Sequence, residues 1–237
     1  MDIETKNDYK TITKEDLNEA IKKHQLWLIG HPDGERMYLE HYDLSGRDFS
    51  CKMLDHATLR DCILRGACFV STSLLEANFN YSDVTNAHFI RSSPRAALFQ
   101  DTIGTETTEL MVFPMACPDT GSFIGWKKVE IHGEDEWCDE YYGFSRHAIA
   151  KLLIPEDALR SSGTGRKCRC NKALVLAIED MDGNTITYPV DARSTFDSLF
   201  TYRVGDTVEE PEFDPNRFNV CSKGIHFFIN RSEAVMY

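Results

Sequence analysis

The sequence predicts two architectures in one chain, a coil of short β segments with a helix before it and a mixed α+β domain after it. Large apolar residues recur at every fifth position between residues 44 and 89. A period of five fits neither the 3.6-residue helix nor the two-residue strand. After residue 100 the period is lost, and apolar runs separated by turn residues replace it. We therefore divide the chain into residues 1–37, 38–100 and 101–237.

The five-residue period has two members, one large and one small. The large positions are Leu44, Phe49, Leu54, Leu59, Leu64, Phe69, Leu74, Phe79, Val84 and Phe89, and Phe99 returns to the frame after Pro94 interrupts it. Two residues before the later ones come Ala57, Cys62, Ala67, Thr72, Ala77, Ser82, Ala87, Ser92 and Ala97. A coil that turns a corner every five residues would point one large and one small side chain inward from each side.

This pattern resembles the pentapeptide-repeat family, in stretches such as CILRGACF and LLEANFNYSDVTNAHF. The resemblance implies a short right-handed quadrilateral β-helix, with the large and small residues stacked in interior columns. At about twenty residues a coil and ~4.8 Å between coils, residues 42–100 would make about three coils, or ~15 Å. Some members of the family imitate DNA as long acidic rods, but ~15 Å spans only about four base pairs. Because residues 42–100 are also charge-neutral, we expect a scaffold or oligomerisation platform and no DNA partner.

The N-terminal segment predicts one amphipathic helix over residues 14–28. Thr13 is a suitable N-cap with Asp16 three residues later, and apolar residues follow at helical spacing. The turn sequence HPDG ends the helix at residues 31–34. His24 and Trp27 could face a ligand, or the helix could simply cap the first coil. The order of a helix with HxxWL followed by pentapeptides resembles proteins often encoded by bacteriophages.

Apolar and β-branched runs predict strands in the C-terminal part at residues 110–114, 122–131, 173–179 and 184–190. The last two flank EDMDGN, which predicts a hairpin. Residues 145–153 fit a short helix or a strand, and residues 230–237 a terminal helix. The expected class is α+β with antiparallel pairing. Stretches such as GSFIGWKKV and CSKGIHFFINRSEAVMY resemble a domain that follows pentapeptide repeats in phage proteins, and this resemblance implies no particular chemistry.

Charge is distributed unevenly along the chain. The net charge of −12 excludes a generally basic nucleic-acid binder, and residues 101–237 carry −9 of it. Within that acidic part, residues 160–172 hold five bases and no acid. Their sequence, RSSGTGRKCRCNK, could cradle a phosphate or carboxylate, or it could be a basic surface loop. It lacks the spacing of a Walker loop. The basic residues that we expect to bind the ligand are Arg160, Arg166, Lys167 and Arg169.

Three further observations concern ligand-binding side chains. Lys127 and Lys128 would face opposite sides of one strand, so only one of them can join a site, and we include Lys128 among the expected ligand-binding residues. SKGIHFFINRSEAVMY resembles the strand, loop and helix of poly(ADP-ribose) polymerase-type ADP-ribosyltransferases. In that family two tyrosines stack on nicotinamide, and their positions correspond to His226 and Tyr237. His226 replaces a tyrosine, and no strand with the family's catalytic glutamate follows Tyr237, so the resemblance implies binding without turnover. Alternatively, these residues form a buried strand and its packing helix.

The composition indicates the cellular location of the protein and the redox state of its cysteines. No apolar run approaches the roughly 18 residues of a membrane span, and the N-terminus is too polar for a signal peptide. We therefore expect a cytoplasmic protein, acting in the host cell if it is viral, with no membrane partner. Eight cysteines then indicate reduced thiols. Cys168 and Cys170, with Cys117, Cys138 and Cys221, could in principle bind zinc, but the C-x-C spacing is the only feature that favours such a site. We therefore expect neither a metal nor a cofactor. No set of catalytic residues stands out in the sequence.

These observations favour a non-enzymatic binding protein that acts as a homo-oligomer. The basic loop would hold a small anionic nucleotide, with His226 or Tyr202 stacking on its base. In a phage protein the natural role would be to sequester a nucleotide signal of bacterial antiviral defence. Two alternatives remain open at this stage. The chain could inhibit a host protein through the acidic segment 134–140, or it could be a degenerate enzyme that processes NAD or ADP-ribose.

Overall fold

The computed structural model describes residues 8–132, 146–187, 190–196 and 200–237. The chain divides into two compact units, Met1–Pro114 and Met115–Tyr237. The second unit thus begins fourteen residues later than the boundary expected at residue 101. Within the described residues, no helix is at once long enough and apolar enough to cross a bilayer.

Helix α1 of the first unit spans Lys14–Leu28, and the helix predicted over residues 14–28 is confirmed. Thr13 caps it, because its Oγ1 accepts a hydrogen bond from the Asp16 amide at 3.0 Å. Leu17, Ile21 and His24 form its buried face. The Nδ1 of His24 accepts the Met37 amide at 3.0 Å. This bond joins the helix to the chain that enters the repeat, so His24 serves the fold and does not face a ligand.

The repeat forms a β-helix-type coil whose regular strands are short. They are β2 Tyr38–Glu40, β3 Tyr42–Asp43 and β4 Thr58–Arg60. Strand β1, Lys10–Thr11, precedes α1 in the chain and pairs in parallel with β3. Most of the pairing consists of isolated parallel bridges between residues twenty apart, from Asp43 with Ile63 to Asp83 with Ile103. At every fifth residue the backbone adopts a left-handed conformation, for example φ 64° at His56 and 63° at Gly66. One coil therefore takes twenty residues with a corner every five.

The large residues of the period fill the interior, as predicted. Phe69 is fully buried and stacks between Phe49 and Phe89, with ring centroids 4.8 and 4.9 Å apart. This spacing matches the distance between neighbouring strands, since each ring lies on the coil next to its neighbour. Hydroxyls occupy part of the small column without loss, because they donate to buried carbonyls. The Oγ1 of Thr72, for example, donates to the Phe49 carbonyl at 2.9 Å.

The end of the repeat differs from the prediction. Pro94 does not interrupt the coil in space, since it is buried in the frame of the large residues and the bridges continue to Ile103. The strand predicted over residues 110–114 is wrong. Residues Glu109–Val112 form a 3₁₀ turn after an earlier one at Thr105–Thr107. The Glu109 carboxylate accepts the Phe89 amide at 2.8 Å, which satisfies a donor of the last coil.

The second unit contains two antiparallel sheets and a short helix. Its strands are β5 Phe123–His132, β6 Arg146–Ile154, β7 Arg160–Ser162, β8 Cys168–Cys170, β9 Lys172–Glu179, β10 Asp191–Ser194, β11 Thr201–Tyr202, β12 Thr207–Glu209 and β13 Ile225–Phe227. The larger sheet has the order β11-β10-β5-β6-β9-β12, and the smaller one β13-β8-β7. Helix α2, Arg231–Met236, closes the chain and has a capping box between Asn230 and Glu233. The α+β class is thus confirmed.

Most expected elements of this unit have the predicted type. The runs at 122–131 and 173–179 are strands β5 and β9, and residues 145–153 correspond to strand β6. The hairpin is only partly formed. The Asp180 carboxylate accepts the Gly183 and Asn184 amides at 2.8 Å and so makes the expected turn. Among the described residues, one bridge, between Glu179 and Thr185, pairs the two sides. Residues 188 and 189 of the expected strand 184–190 lie outside the described part of the chain.

Candidate functional site

A cavity of about 380 Å³ opens in the second unit beside the centre of strand β5. It combines polar groups with aromatic side chains. The cavity is lined by Lys127, Ser194, Phe196, Phe200, Tyr202, Glu210, Cys221, Ser222, Lys223, Gly224 and His226. The size is within the range of small-molecule sites, and aromatic walls with a few polar groups are typical of them. We call this the Lys127 cavity.

Lys127 lies on the buried face of strand β5, where the neighbouring side chains are apolar. It shares the face of strand β5 with Val129 and Ile131, and all three are buried. Only 7% of Lys127 is exposed. Its Nζ lies 5.7 Å from the ring centroid of Tyr202, a weak cation–π contact. Within the described part of the chain, this amine has neither a carboxylate partner nor a hydrogen bond.

The surroundings of Lys127 disfavour its charge. Burial, and to a smaller degree the nearby charge of Lys167, lower the pKa of Lys127 from 10.5 to about 8. At neutral pH the amine is therefore mostly protonated, but its charge is poorly solvated. An anion that entered the cavity would supply the missing partner.

His226 contributes a neutral ring to the same cavity. Burial, followed by the charges of Lys167, Lys127 and Arg169, lowers the pKa of His226 to about 3. The Nε2 lies 3.2 Å from the Val220 carbonyl oxygen. Because a carbonyl can only accept, Nε2 carries the proton and Nδ1 is an acceptor. His226 therefore offers a planar, uncharged surface and adds no charge of its own.

The guanidinium groups of Arg160 and Arg169 hold the fold together. Arg160 donates to the carbonyls of Gly121 at 2.7 Å, Pro155 at 2.8 Å and Glu156 at 2.7 Å. Arg169 is 2% exposed and donates to three further carbonyls, those of Asp214, Asn216 and Lys223. The expectation that these two residues bind an anion needs correction, because their N–H groups already satisfy backbone oxygens that would otherwise be orphaned.

The other expected residues of the basic loop contact the terminal helix. Arg166 pairs with Glu233, with Nε 2.7 Å from Oε1. Lys167 donates through Nζ to the Tyr237 hydroxyl at 2.9 Å. The same Nζ lies 5.7 Å from the ring centroid of Phe196, which lines the Lys127 cavity. Of the expected basic residues, Lys167 is therefore the one that we place beside the cavity.

Two expected aromatic contacts also differ from the resemblance that suggested them. His226 lines the cavity, whereas Tyr237 packs against Phe228 with centroids 5.2 Å apart. They do not form a stacking pair around one pocket. Tyr202 lines the cavity, although only 1% of it is exposed.

Lys128, the lysine expected from the sequence to bind the ligand, does not line the Lys127 cavity. Lys128 points to the other face of strand β5, where its Nζ donates to the Val235 carbonyl at 3.4 Å. Lys127 is the cavity residue. A signal for this was present in the sequence, because Lys127 has the same parity as Gly125, Val129 and Ile131. A core-facing position in an alternating strand is an unusual place for a lysine.

The remaining candidates offer less chemistry. A cavity of about 610 Å³ between strand β9 and residues 185–204 is lined largely by apolar side chains, with Arg203 as its charged member. Burial raises the pKa of the Cys170 thiol to about 12, so it remains protonated and is a poor metal ligand. Among the described residues, no three His, Cys, Asp or Glu side chains are grouped to hold a metal. Cys138 and the acidic segment 134–140 lie outside the described residues.

Comparisons with known proteins support the division into two units. Eight copies of the pentapeptide repeat match residues 53–89, within the coil. A search of curated proteins found no match. A second family model matches residues 113–234, which include every residue of the Lys127 cavity and more than half of the 237-residue chain. The chain therefore belongs to the family described as a family of unknown function (DUF5758).

Proposed function

We propose that the C-terminal unit binds a small ligand that combines an anionic group with a planar ring, as a nucleotide does. One observation carries the proposal. A buried lysine, with no carboxylate partner among the described residues, lines a cavity whose other walls include aromatic rings. Leaving a buried charge unpaired is costly. A bound anion would remove that cost, and stacking on the rings would add affinity.

The position of the anion follows from the charges. Lys127 lines the cavity, and Lys167 lies near its Phe196 wall. A phosphate or carboxylate between them would pair with both amines. The flat part of the ligand would then lie among Phe196, Phe200, Tyr202 and the neutral His226. Glu210, which also lines the cavity, disfavours a second anionic group on its side.

Calorimetric titration with a panel of cyclic nucleotides and ADP-ribose derivatives tests the proposal. We expect at least one ligand to bind, Lys127→Met to weaken it at least tenfold, and Lys128→Met to leave it unchanged. Lys128 is the matched control because it is the adjacent lysine on the opposite face of the same strand. Uniform failure of the panel to bind the wild-type protein would contradict the proposal.

In the biological setting that we propose, the protein is of phage origin and sequesters a nucleotide signal of bacterial antiviral defence. The support is the order of a helix, pentapeptide repeats and a following domain, which resembles phage proteins. Incubation with NAD and an assay for released nicotinamide distinguishes the enzymatic alternative.

For the first unit, we propose that its coil is the right-handed quadrilateral β-helix of the pentapeptide-repeat family and joins copies of the chain. A twenty-residue coil with a corner every five residues supports the four-sided form. Light scattering on the purified protein tests the oligomer, and a strictly monomeric mass would contradict it.

A further inference from the structure

Among the described lysines of the second unit, Lys127 and Lys151 have neither a hydrogen bond nor an ion pair and contact only an aromatic ring. Of these two, Lys127 is the buried one. Lys167 donates to the Tyr237 hydroxyl at 2.9 Å, and Lys172 pairs with Asp157 at 2.5 Å. Lys223 pairs with Glu212 at 3.3 Å. Among the described residues, Lys127 contacts only an aromatic face at its Nζ. Lys127 is buried and lines a cavity with aromatic walls.

Such an environment activates a lysine as a nucleophile. A protonated amine has no lone pair to donate, whereas a neutral one does. Two conditions favour the neutral form, desolvation in an apolar pocket and a second cation nearby. Lys127 satisfies both, since it is 7% exposed and is close enough to feel the charge of Lys167.

We propose that Lys127 forms an imine with an aldehyde or ketone that also carries an anionic group. This inference rests on the proposed function, because the same cavity must admit the ligand. Nζ attacks the carbonyl carbon and forms a carbinolamine. The carbinolamine then loses the former carbonyl oxygen as water, together with the two protons of the amine, and a C=N bond remains. The step is a condensation, so it needs no oxidant or reductant.

The anionic group directs the carbonyl compound to Lys127. Lys167 lies beside Phe196 of the cavity wall and can hold a phosphate while Lys127 reacts. A ligand without a carbonyl group would stay an ion pair with protonated Lys127. Anionic aldehydes and ketones would therefore be retained longer than the corresponding alcohols.

Pyridoxal 5′-phosphate is a suitable probe, because it joins an aromatic ring, a phosphate and an aldehyde. After incubation of the full chain, borohydride reduces any imine to a stable amine, and peptide mass spectrometry locates the adduct. We expect one adduct per chain, at Lys127. Lys128→Arg should leave it unchanged, and Lys127→Arg should abolish it. If the Lys127 variant does not fold, the site of the adduct in the wild-type protein still decides the question.

Pyridoxine 5′-phosphate, which has an alcohol in place of the aldehyde, separates this inference from the proposed function. If it binds and competes with the aldehyde, but no adduct forms at Lys127, the imine is excluded and the anion site stands. Adduct spread evenly over Lys127, Lys128 and Lys167 would also overturn the inference, since it would indicate ordinary surface amines. If neither compound nor any nucleotide binds, the proposed function fails as well.

Discussion

Anion binding at the Lys127 cavity should weaken as the pH rises through about 8. The pKa of Lys127 is about 8 in the folded protein. The amine is then about nine-tenths protonated at pH 7 and about one-tenth protonated at pH 9. If the anion binds only the protonated form, the observed Kd rises about tenfold over this interval, or about 1.4 kcal/mol in binding free energy.

A cyclic mononucleotide suits this measurement, because its phosphodiester keeps one negative charge over the whole interval. Calorimetry at pH 7, 8 and 9, at constant ionic strength, gives Kd directly. Titrations in buffers of different ionisation enthalpy should also show proton uptake on binding near pH 8, since the anion raises the pKa of Lys127. Lys127→Met should bind weakly with no such pH dependence. A wild-type Kd that stays within twofold between pH 7 and 9 would refute the reasoning.

Further predictions concern stability, measured by urea unfolding. Lys127→Met should raise the free energy of unfolding by about 3 kcal/mol at pH 7, which is the cost of lowering a lysine pKa from 10.5 to about 8. Between pH 8 and 10.5 the unfolded wild-type chain binds more protons than the folded one, so wild-type stability rises over that window. The stability advantage of Lys127→Met should therefore vanish above pH 10.5. An advantage that does not depend on pH would contradict the role of the Lys127 charge. Arg169→Met should lower the free energy of unfolding by about 3 kcal/mol, because three carbonyls lose their donor. Arg166→Met should lower it by less than about 1 kcal/mol, because Arg166 is exposed. Equal losses in the two variants would be inconsistent with these contacts. Phe69→Ala should cost about 3–5 kcal/mol, and a loss below about 1 would mean that the stacked column does not stabilise the coil. Thr13→Ala should lower the free energy of unfolding by about 1 kcal/mol, because the helix loses its N-cap. Thr13→Ser should keep most of the capping stabilisation, because the hydroxyl is retained.

The cytoplasmic location, the homo-oligomer and the identity of the ligand stay predictions. The acidic segment 134–140, which suggested a protein partner, is also untested, because it lies outside the described residues. A pull-down with a charge-reversed segment would distinguish that alternative from ligand binding, since only a protein partner should be lost with the acidic charges.

The sequence by itself determined the coil, because its pattern is local and repeated. Leu64 and Phe69 point inward because each is the large apolar residue of its five-residue repeat. The same spacing therefore predicts every buried residue of the column. The N-terminal helix was equally predictable, because Thr13 and the apolar spacing after it act within one turn. The prediction that Pro94 interrupts the period was wrong. Proline fixes φ at about −65°, and this angle is compatible with a position in the interior column.

Only the tertiary structure decided the site. The basic loop has the composition of an anion cradle, but composition does not show which groups already have partners. At their most distant contacts, Arg160 and Arg169 satisfy carbonyls that lie 42 and 54 residues away in the chain, and no local pattern reveals such bonds. Lys127 became the candidate for the opposite reason. Its strand position was visible in the sequence. Its burial depends on strands β10, β11 and β13 being brought around it, and that arrangement is a property of the folded chain.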